Sequence, residues 1–211
     1  MRLMIAVPCL DYSRSEFTEA LVNLVKRLAL DGVDFEFRKA QATLTYQGRE
    51  QLAREAMEGR FDYMLWLDSD MEFPTNAFSM LMQGMEKTGA ALVTGIYRCR
   101  RYPFQKLVYR LISPFQGIPC GEDLPGELFP IEGCGFGCVL VDVKAIAEVH
   151  KRFSVVFTPE KGLGEDLAFC HRLKQLGYRM YAEPSIKCSH IGSITITCDD
   201  ADKLMDYIKG R

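Results

Sequence analysis

The sequence predicts an α/β protein built on a mainly parallel central sheet with helices on both faces. Three observations carry this: short apolar runs alternate with longer amphipathic ones, one run is apolar throughout, and glycines punctuate the ends of the amphipathic runs. The first apolar run, Leu3–Pro8, suits a central strand. A helix follows, with Ser13 and Glu16 at capping-box spacing and Phe17, Ala20, Leu21, Leu24, Val25 and Leu28 on one stripe. Gly32 stands where a left-handed cap ends such a helix. Phe35-Glu36-Phe37 reads as a second strand, and 49–58 as a shorter helix burying Leu52, Ala53, Ala56 and Met57 before Gly59.

Tyr63-Met64-Leu65-Trp66-Leu67 is the strongest strand, apolar on both faces, and runs straight into Asp68-Ser69-Asp70. Pro74 is placed for the first turn of a helix carrying Phe78, Leu81, Met82 and Met85 to Gly89. Ala91–Ile96 is a further strand. Residues 98–132, rich in Pro, Gly and aromatics, lack periodicity and are expected to form a long functional loop region. Phe136–Val141 resumes the sheet, helices follow over 143–152 and 165–176, and 178–182 is strand-like. A last helix is expected over 199–209. No repeat or low-complexity tract appears.

Composition bounds the function. Among 211 residues, 48% are hydrophobic, enough for a core, so one domain is expected over 1–211. Its parts are a ligand-binding half (1–97), the loop region (98–132) and a catalytic half (133–211). Lys and Arg number 26 against 28 Asp and Glu, a net charge of −2, which excludes a globally basic nucleic-acid binder. No secretory signal or run of eighteen apolar residues is visible, and the eight cysteines are scattered. A cytoplasmic protein with reduced, mostly buried thiols is expected.

Four constellations carry chemistry. Asp68 and Asp70 end the central strand, where open α/β sheets bind ligands, and two carboxylates so spaced suit one hard cation. Gly164-Glu165-Asp166 opens a helix, with Asp166 or Glu165 available as a general base. His190, in Cys188-Ser189-His190-Ile191-Gly192, offers an imidazole that suits Mn. Gly133, Cys134 and Gly135 begin a glycine-rich turn able to present backbone N–H groups. Each also has a plain structural explanation: a solvated loop, a helix-dipole partner, a hydrogen-bonded histidine or a tight turn.

Taken in order, Asp68-Ser69-Asp70, Gly133–Gly137, Gly164-Glu165-Asp166 with Arg172 and Gly177 behind, and His190-x-Gly192 resemble a glycosyltransferase of the GT-A fold. The family 2 type, in compact bacterial or phage-like form, is the one matched, over about residues 3–192. The resemblance implies a UDP- or GDP-sugar donor and Mn2+ or Mg2+ as cofactor. Asp68 would face the ribose and the metal, while Asp70 and His190 ligate it. Asp166 would be the catalytic base, supported by Glu165. Pro8, Cys9, Leu10, Asp11, Arg49, Ser69 and the turn Gly133, Cys134, Gly135 would line the donor site. The stretch 40–45 lacks the aspartate such enzymes place after the second strand, so it does not specify the nucleobase. The short stretch after Gly192 favours a single-transfer enzyme over a polymer synthase.

Residues 98–110 hold Arg98, Arg100, Arg101, Lys106 and Arg110 among Tyr102, Phe104 and Tyr109, with no acid. Such a patch suits the donor diphosphate or an anionic acceptor. Glycans, phosphorylated or lipid-linked sugars and modified nucleic-acid bases are the acceptor classes. Two rivals stand beside an inverting, metal-dependent transferase. One is a non-catalytic nucleotide-sugar-binding protein; the other is a zinc-binding interaction domain using Cys134, Cys138, Cys188 and His190.

Overall fold

A computed structural model describes residues 1–10, 12–41, 44–113, 116–160 and 162–192. In chain order the elements are β1 (Arg2–Pro8), α1 (Ser15–Leu30), β2 (Asp34–Ala40), α2 (Thr45–Glu58), β3 (Tyr63–Leu67), β4 (Met71–Glu72) and α3 (Ala77–Thr88). Then follow β5 (Leu92–Ile96), β6 (Val108–Ser113), β7 (Gln116–Pro119), β8 (Phe129–Ile131), β9 (Gly133–Cys134) and β10 (Cys138–Asp142). The remaining elements are α4 (Val143–Phe153), α5 (Glu165–Gln175), β11 (Met180–Lys187) and β12 (Ser189–His190). The helix expected over 199–209 lies outside the described residues.

Seven strands form one mixed sheet in the order β2-β1-β3-β10-β5-β11-β8. The pairings β1 with β2, β1 with β3, and β5 with β11 are parallel, whereas β10 and β8 run against their neighbours. Side-chain alternation divides the core into two layers. Met4, Ala6, Met64, Trp66, Val139 and Val141 face one way, toward Leu52 and Ala53 of α2, Ile146 of α4 and Phe169 of α5. Leu3, Ile5, Leu65, Leu67 and Leu140 face the other, toward Phe17 and Leu24 of α1 and Phe78 and Leu81 of α3. A strand buried on both faces needs apolar residues at successive positions, which is why β3 reads as an uninterrupted run.

Several local expectations are corrected. The Ser13–Glu16 capping box does not form: α1 starts after Arg14, without a side-chain cap, and the Ser13 hydroxyl meets Thr18 instead. Helix α2 starts at Thr45, because Leu44 already accepts bonds from the N–H groups of Gln47 and Gly48. Arg49 is therefore a full turn inside the helix. Pro74 precedes α3 rather than occupying its first turn, since Pro74, Thr75 and Asn76 close a turn through Ala77 N–H. Gly32, Gly89 and Gly177 do take the left-handed backbone at φ 68°, 63° and 79°.

The 98–132 stretch is not merely loop. It holds β6 paired with β7, and β6 also pairs with β9. β8 extends the main sheet at its edge, where Pro130 needs no ladder donor. The alternation there is weak because only Val108 and Ile112 of β6 are buried. Seven cysteines lie among the described residues and all are free thiols; Cys99, Cys120 and Cys188 are only partly buried, and Cys198 is outside the described residues.

Glu50 on α2 holds the segment before α5 in place. Its carboxylate accepts hydrogen bonds from the N–H groups of Val156, Phe157 and Thr158 at 2.7–2.9 Å. This seats Phe157 against Trp66, Phe136 and Phe169, with ring centroids 4.7–5.3 Å apart. Glu50→Ala leaves three backbone donors without their acceptor and is expected to lower unfolding free energy by about 3 kcal/mol, read as the midpoint shift in urea denaturation.

Candidate functional site

The carboxyl-terminal ends of β1, β3 and β5 open on one cleft of about 500 Å³. Pro8, Cys9 and Leu10 line it from β1, and Asp68, Ser69 and Asp70 follow β3. Tyr97 and Arg100 follow β5, Thr45, Gly48 and Arg49 come from α2, Glu165 and Asp166 from α5, and His190 from β12.

Arg49 is the centre. It is 1% exposed, with its guanidinium carbon 5.2 Å from the Phe136 ring centroid and 5.7 Å from that of Trp66. Its Nη2 donates to Asp68 Oδ1 at 3.0 Å. Its Nε lies 3.3 Å from Asp166 Oδ1 and 3.7 Å from Glu165 Oε1. Burial works against the guanidinium charge, but Asp166, Asp68 and Glu165 outweigh it and raise the pKa, so Arg49 stays protonated.

Asp166 lies at the start of α5, where Phe136 N–H donates to its Oδ2 at 3.3 Å. Burial lifts its carboxyl, Arg49 opposes the lift, and the charges of Glu165 and Asp68 reinforce it. The pKa is pushed up to about 7. A carboxylate poised at that value exchanges protons near neutrality, which is what a general base needs. Burial likewise raises Asp68, against the pull of Arg49.

Asp70 and His190 meet because β4 pairs with β12: His190 stands opposite Met71, and Ile191 N–H donates to the Asp70 carbonyl at 2.8 Å. His190 Nδ1 lies 2.9 Å from the Arg98 carbonyl, which can only accept, so Nδ1 carries a proton. Its Nε2 then faces Asp70 Oδ1 at 3.5 Å. Two acceptor atoms so close need a proton or a cation between them. Burial alone would raise Asp70, but the hydrogen bond and charge of His190, with the charge of Arg100, hold it below its ordinary value. Burial alone would lower His190, and the bonds to Asp70 and to the Arg98 carbonyl raise it instead.

A divalent cation fits this pair by donor chemistry, one imidazole and one carboxylate facing each other. Among the described residues, however, no three acidic, histidine or cysteine side chains converge into a complete metal site. That applies equally to the cysteine-based zinc site, for which Cys134 and Cys138 are buried strand residues whose thiol pKa values are raised, Cys134 first by burial and Cys138 first by its hydrogen bond with Cys188 and then by burial.

Most residues expected at the site are therefore brought together: Pro8, Cys9, Leu10, Arg49, Asp68, Ser69, Asp70, Glu165, Asp166 and His190. Asp11 lies outside the described residues. Gly133, Cys134 and Gly135 are not on the cleft wall; they are buried. Their glycines admit close packing instead, since a Cβ at Gly133 would sit 2.1 Å from Ile112 Cδ1 and one at Gly135 would sit 2.2 Å from the Tyr97 hydroxyl. Arg172, expected behind Asp166, is buried and donates to the carbonyls of Val156 and Thr158.

Tyr97 escaped sequence reasoning. Its hydroxyl accepts from Gly137 N–H at 3.0 Å and its ring meets His190 edge-to-face, with centroids 5.4 Å apart. The available signal was its position one residue past the apolar run that forms β5.

The fold matches solved structures. The crystal structure of A197 from STIV superposes with a TM-score of 0.63, at 20% identity, over 92% of this chain and 87% of that one. The crystal structure of GalNAc-T7 with UDP, GalNAc and Mn2+ gives 0.61 at 9% identity, over 92% of this chain. The chain has the GT-A fold. It spans 43% of the GalNAc-T7 chain. No protein-family profile matches the sequence, and no curated protein matches it. Among the described residues no helix is long and apolar enough to cross a membrane.

The raised Asp166 pKa sets a stability prediction. The native state holds this proton more tightly than the unfolded chain, so stability falls as pH rises from about 3.8 toward about 7. Asp166→Asn, which cannot ionise, is expected to melt about 3 °C or more above the unsubstituted protein at pH 8. The gap closes near pH 4; the check is a melting series across that range.

Proposed function

We propose that this protein is a glycosyltransferase that moves a sugar from a UDP- or GDP-sugar to an acceptor hydroxyl by single displacement, with inversion. The observation that carries the reading is the pairing of a near-neutral base, Asp166, with the Asp68, Asp70 and His190 cluster across one cleft. Within that fold, the order of the motifs along the sequence is what favours the family 2 type. The acceptor is a glycan, a phosphorylated or lipid-linked sugar, or a modified nucleic-acid base. Free thiols at all seven described cysteines support a cytoplasmic location.

In this reading Pro8, Cys9, Leu10 and Thr45 hold the nucleoside, with Asp68 toward the ribose. Asp70 and His190, with Asp68 nearby, would hold Mn2+ or Mg2+. When bound, that cation supplies positive charge against the diphosphate as it leaves. The need is electrostatic: four carboxylates, Asp68, Asp70, Glu165 and Asp166, line the cleft against three guanidiniums, Arg14, Arg49 and Arg100. A diphosphate that carries two negative charges in the donor and gains a third as it departs is poorly served by that balance alone. Asp166 takes the proton from the acceptor hydroxyl as its oxygen attacks the anomeric carbon. Arg49 keeps the base oriented, and Glu165 supports it or binds the acceptor.

Two measurements test this. With the matching donor, Asp166→Asn is expected to lose transfer by at least about 100-fold, the usual scale of a general base, while donor affinity by calorimetry stays within about two-fold. Near-normal turnover of that variant would refute the base assignment. The transfer rate is also expected to rise with pH through about 7 as Asp166 ionises, a limb that a flat pH profile would contradict.

A further inference from the structure

Arg100 ties up the carboxylate that the proposed site needs for a cation. Its Nη1 sits 2.7 Å from Asp70 Oδ2, and the same nitrogen reaches the Ile191 carbonyl at 3.4 Å. The aliphatic stem runs over Gly192, where an added Cβ would touch Arg100 Cδ at 3.4 Å. The contact is tailored but shallow, since 46% of the side chain is exposed. Arg49, by contrast, is wholly enclosed. Arg100 stands on the 98–106 segment, whose ends pair at Arg98 and Lys106. It lines both the donor cleft and the adjoining groove of about 1430 Å³ bounded by that segment.

A guanidinium is a permanent cation whose fork fits carboxylate and phosphate equally well. On Asp70 it neutralises one oxygen while His190 faces the other. A divalent ion arriving alone must displace that charge and, among the described residues, meets Asp70 and His190 as the facing pair of donors. A diphosphate offers Arg100 a replacement partner and adds oxygens for the ion. Resting on the glycosyltransferase reading, we infer that Arg100 is an exchangeable counter-ion: it occupies Asp70 in the empty cleft and passes to the donor diphosphate when nucleotide and cation bind together. Cation and nucleotide thereby strengthen each other's binding, and the coupling is reciprocal.

The test is a titration with MnCl2 followed by electron paramagnetic resonance, with and without UDP and GDP, on the unsubstituted protein, Arg100→Ala, Arg100→Gln and Arg100→Lys. Arg100→Ala and Arg100→Gln are expected to bind Mn2+ without nucleotide at least about five-fold more tightly, and to lose about five-fold or more of the nucleotide-induced gain. Arg100→Lys keeps a cation beside Asp70 and is expected to stay near the unsubstituted protein without nucleotide. Unchanged or weaker nucleotide-free Mn2+ binding in Arg100→Ala and Arg100→Gln overturns the exchange, as does absence of Mn2+ binding in every form. If nucleotide fails to improve Mn2+ binding in the unsubstituted protein, the donor-site reading fails; a tighter Arg100→Ala then still shows that the guanidinium competes for Asp70.

Discussion

A guanidinium at 1% exposure against two aromatic rings must have its charge answered, and three carboxylates from two segments answer that of Arg49. Leaving such a charge uncompensated in the interior costs several kcal/mol. The Arg49 ion pairs therefore fix Asp68 after β3 and Glu165 and Asp166 on α5 relative to one another. The cleft inherits its geometry from that requirement. The acids outnumber the buried cation, and burial raises the carboxyls of both Asp166 and Asp68 against the pull of Arg49, Asp166 to about 7.

The rest of the architecture serves this cluster. β3 delivers Asp68 at the carboxyl end of a central strand, whose Met64, Leu65, Trp66 and Leu67 leave it no exposed face. Phe136, packed between Trp66, Phe157 and Phe169, supplies both a ring for Arg49 and the N–H that meets Asp166. Glu50 accepts from the N–H groups of the 156–158 backbone and Arg172 donates to its carbonyls at 156 and 158, so the segment before α5 is held at both kinds of backbone group. The two-residue ladder of β4 and β12 brings Asp70 and His190 together across 120 positions of sequence. Two ionic subsites result: a rigid one around Arg49, and a half-exposed one where Arg100 and His190 share Asp70.

What could be read in advance follows from periodicity and short-range spacing. The apolar run ending in Asp68-Ser69-Asp70 identified a central strand and its acidic tip, because burial on both faces leaves a pattern no other element leaves. Glu165 and Asp166 were legible from Gly164 and the helix they open. Arg49 was legible only as a basic residue near a helix start; its burial depends on Trp66 and Phe136, which are remote in sequence. The glycines at 133 and 135 misled for a physical reason. Close packing against Ile112 and Tyr97 demands the same missing Cβ that ligand contact would. Tyr97 left only its place just past the β5 run, since its value lies in the bond its hydroxyl accepts from Gly137 N–H and an edge contact with His190. The strands within 98–132 were hidden because they bury only alternate, widely spaced side chains.

Burial beside an overcharged acid cluster holds Asp166 near neutrality. Carbon-detected NMR titration of the Asp166 side-chain carboxyl, assigned by its disappearance in Asp166→Asn, measures this without substrate or cofactor. The expected titration is centred at about 7. A midpoint at the ordinary aspartate value near 3.8 would contradict it.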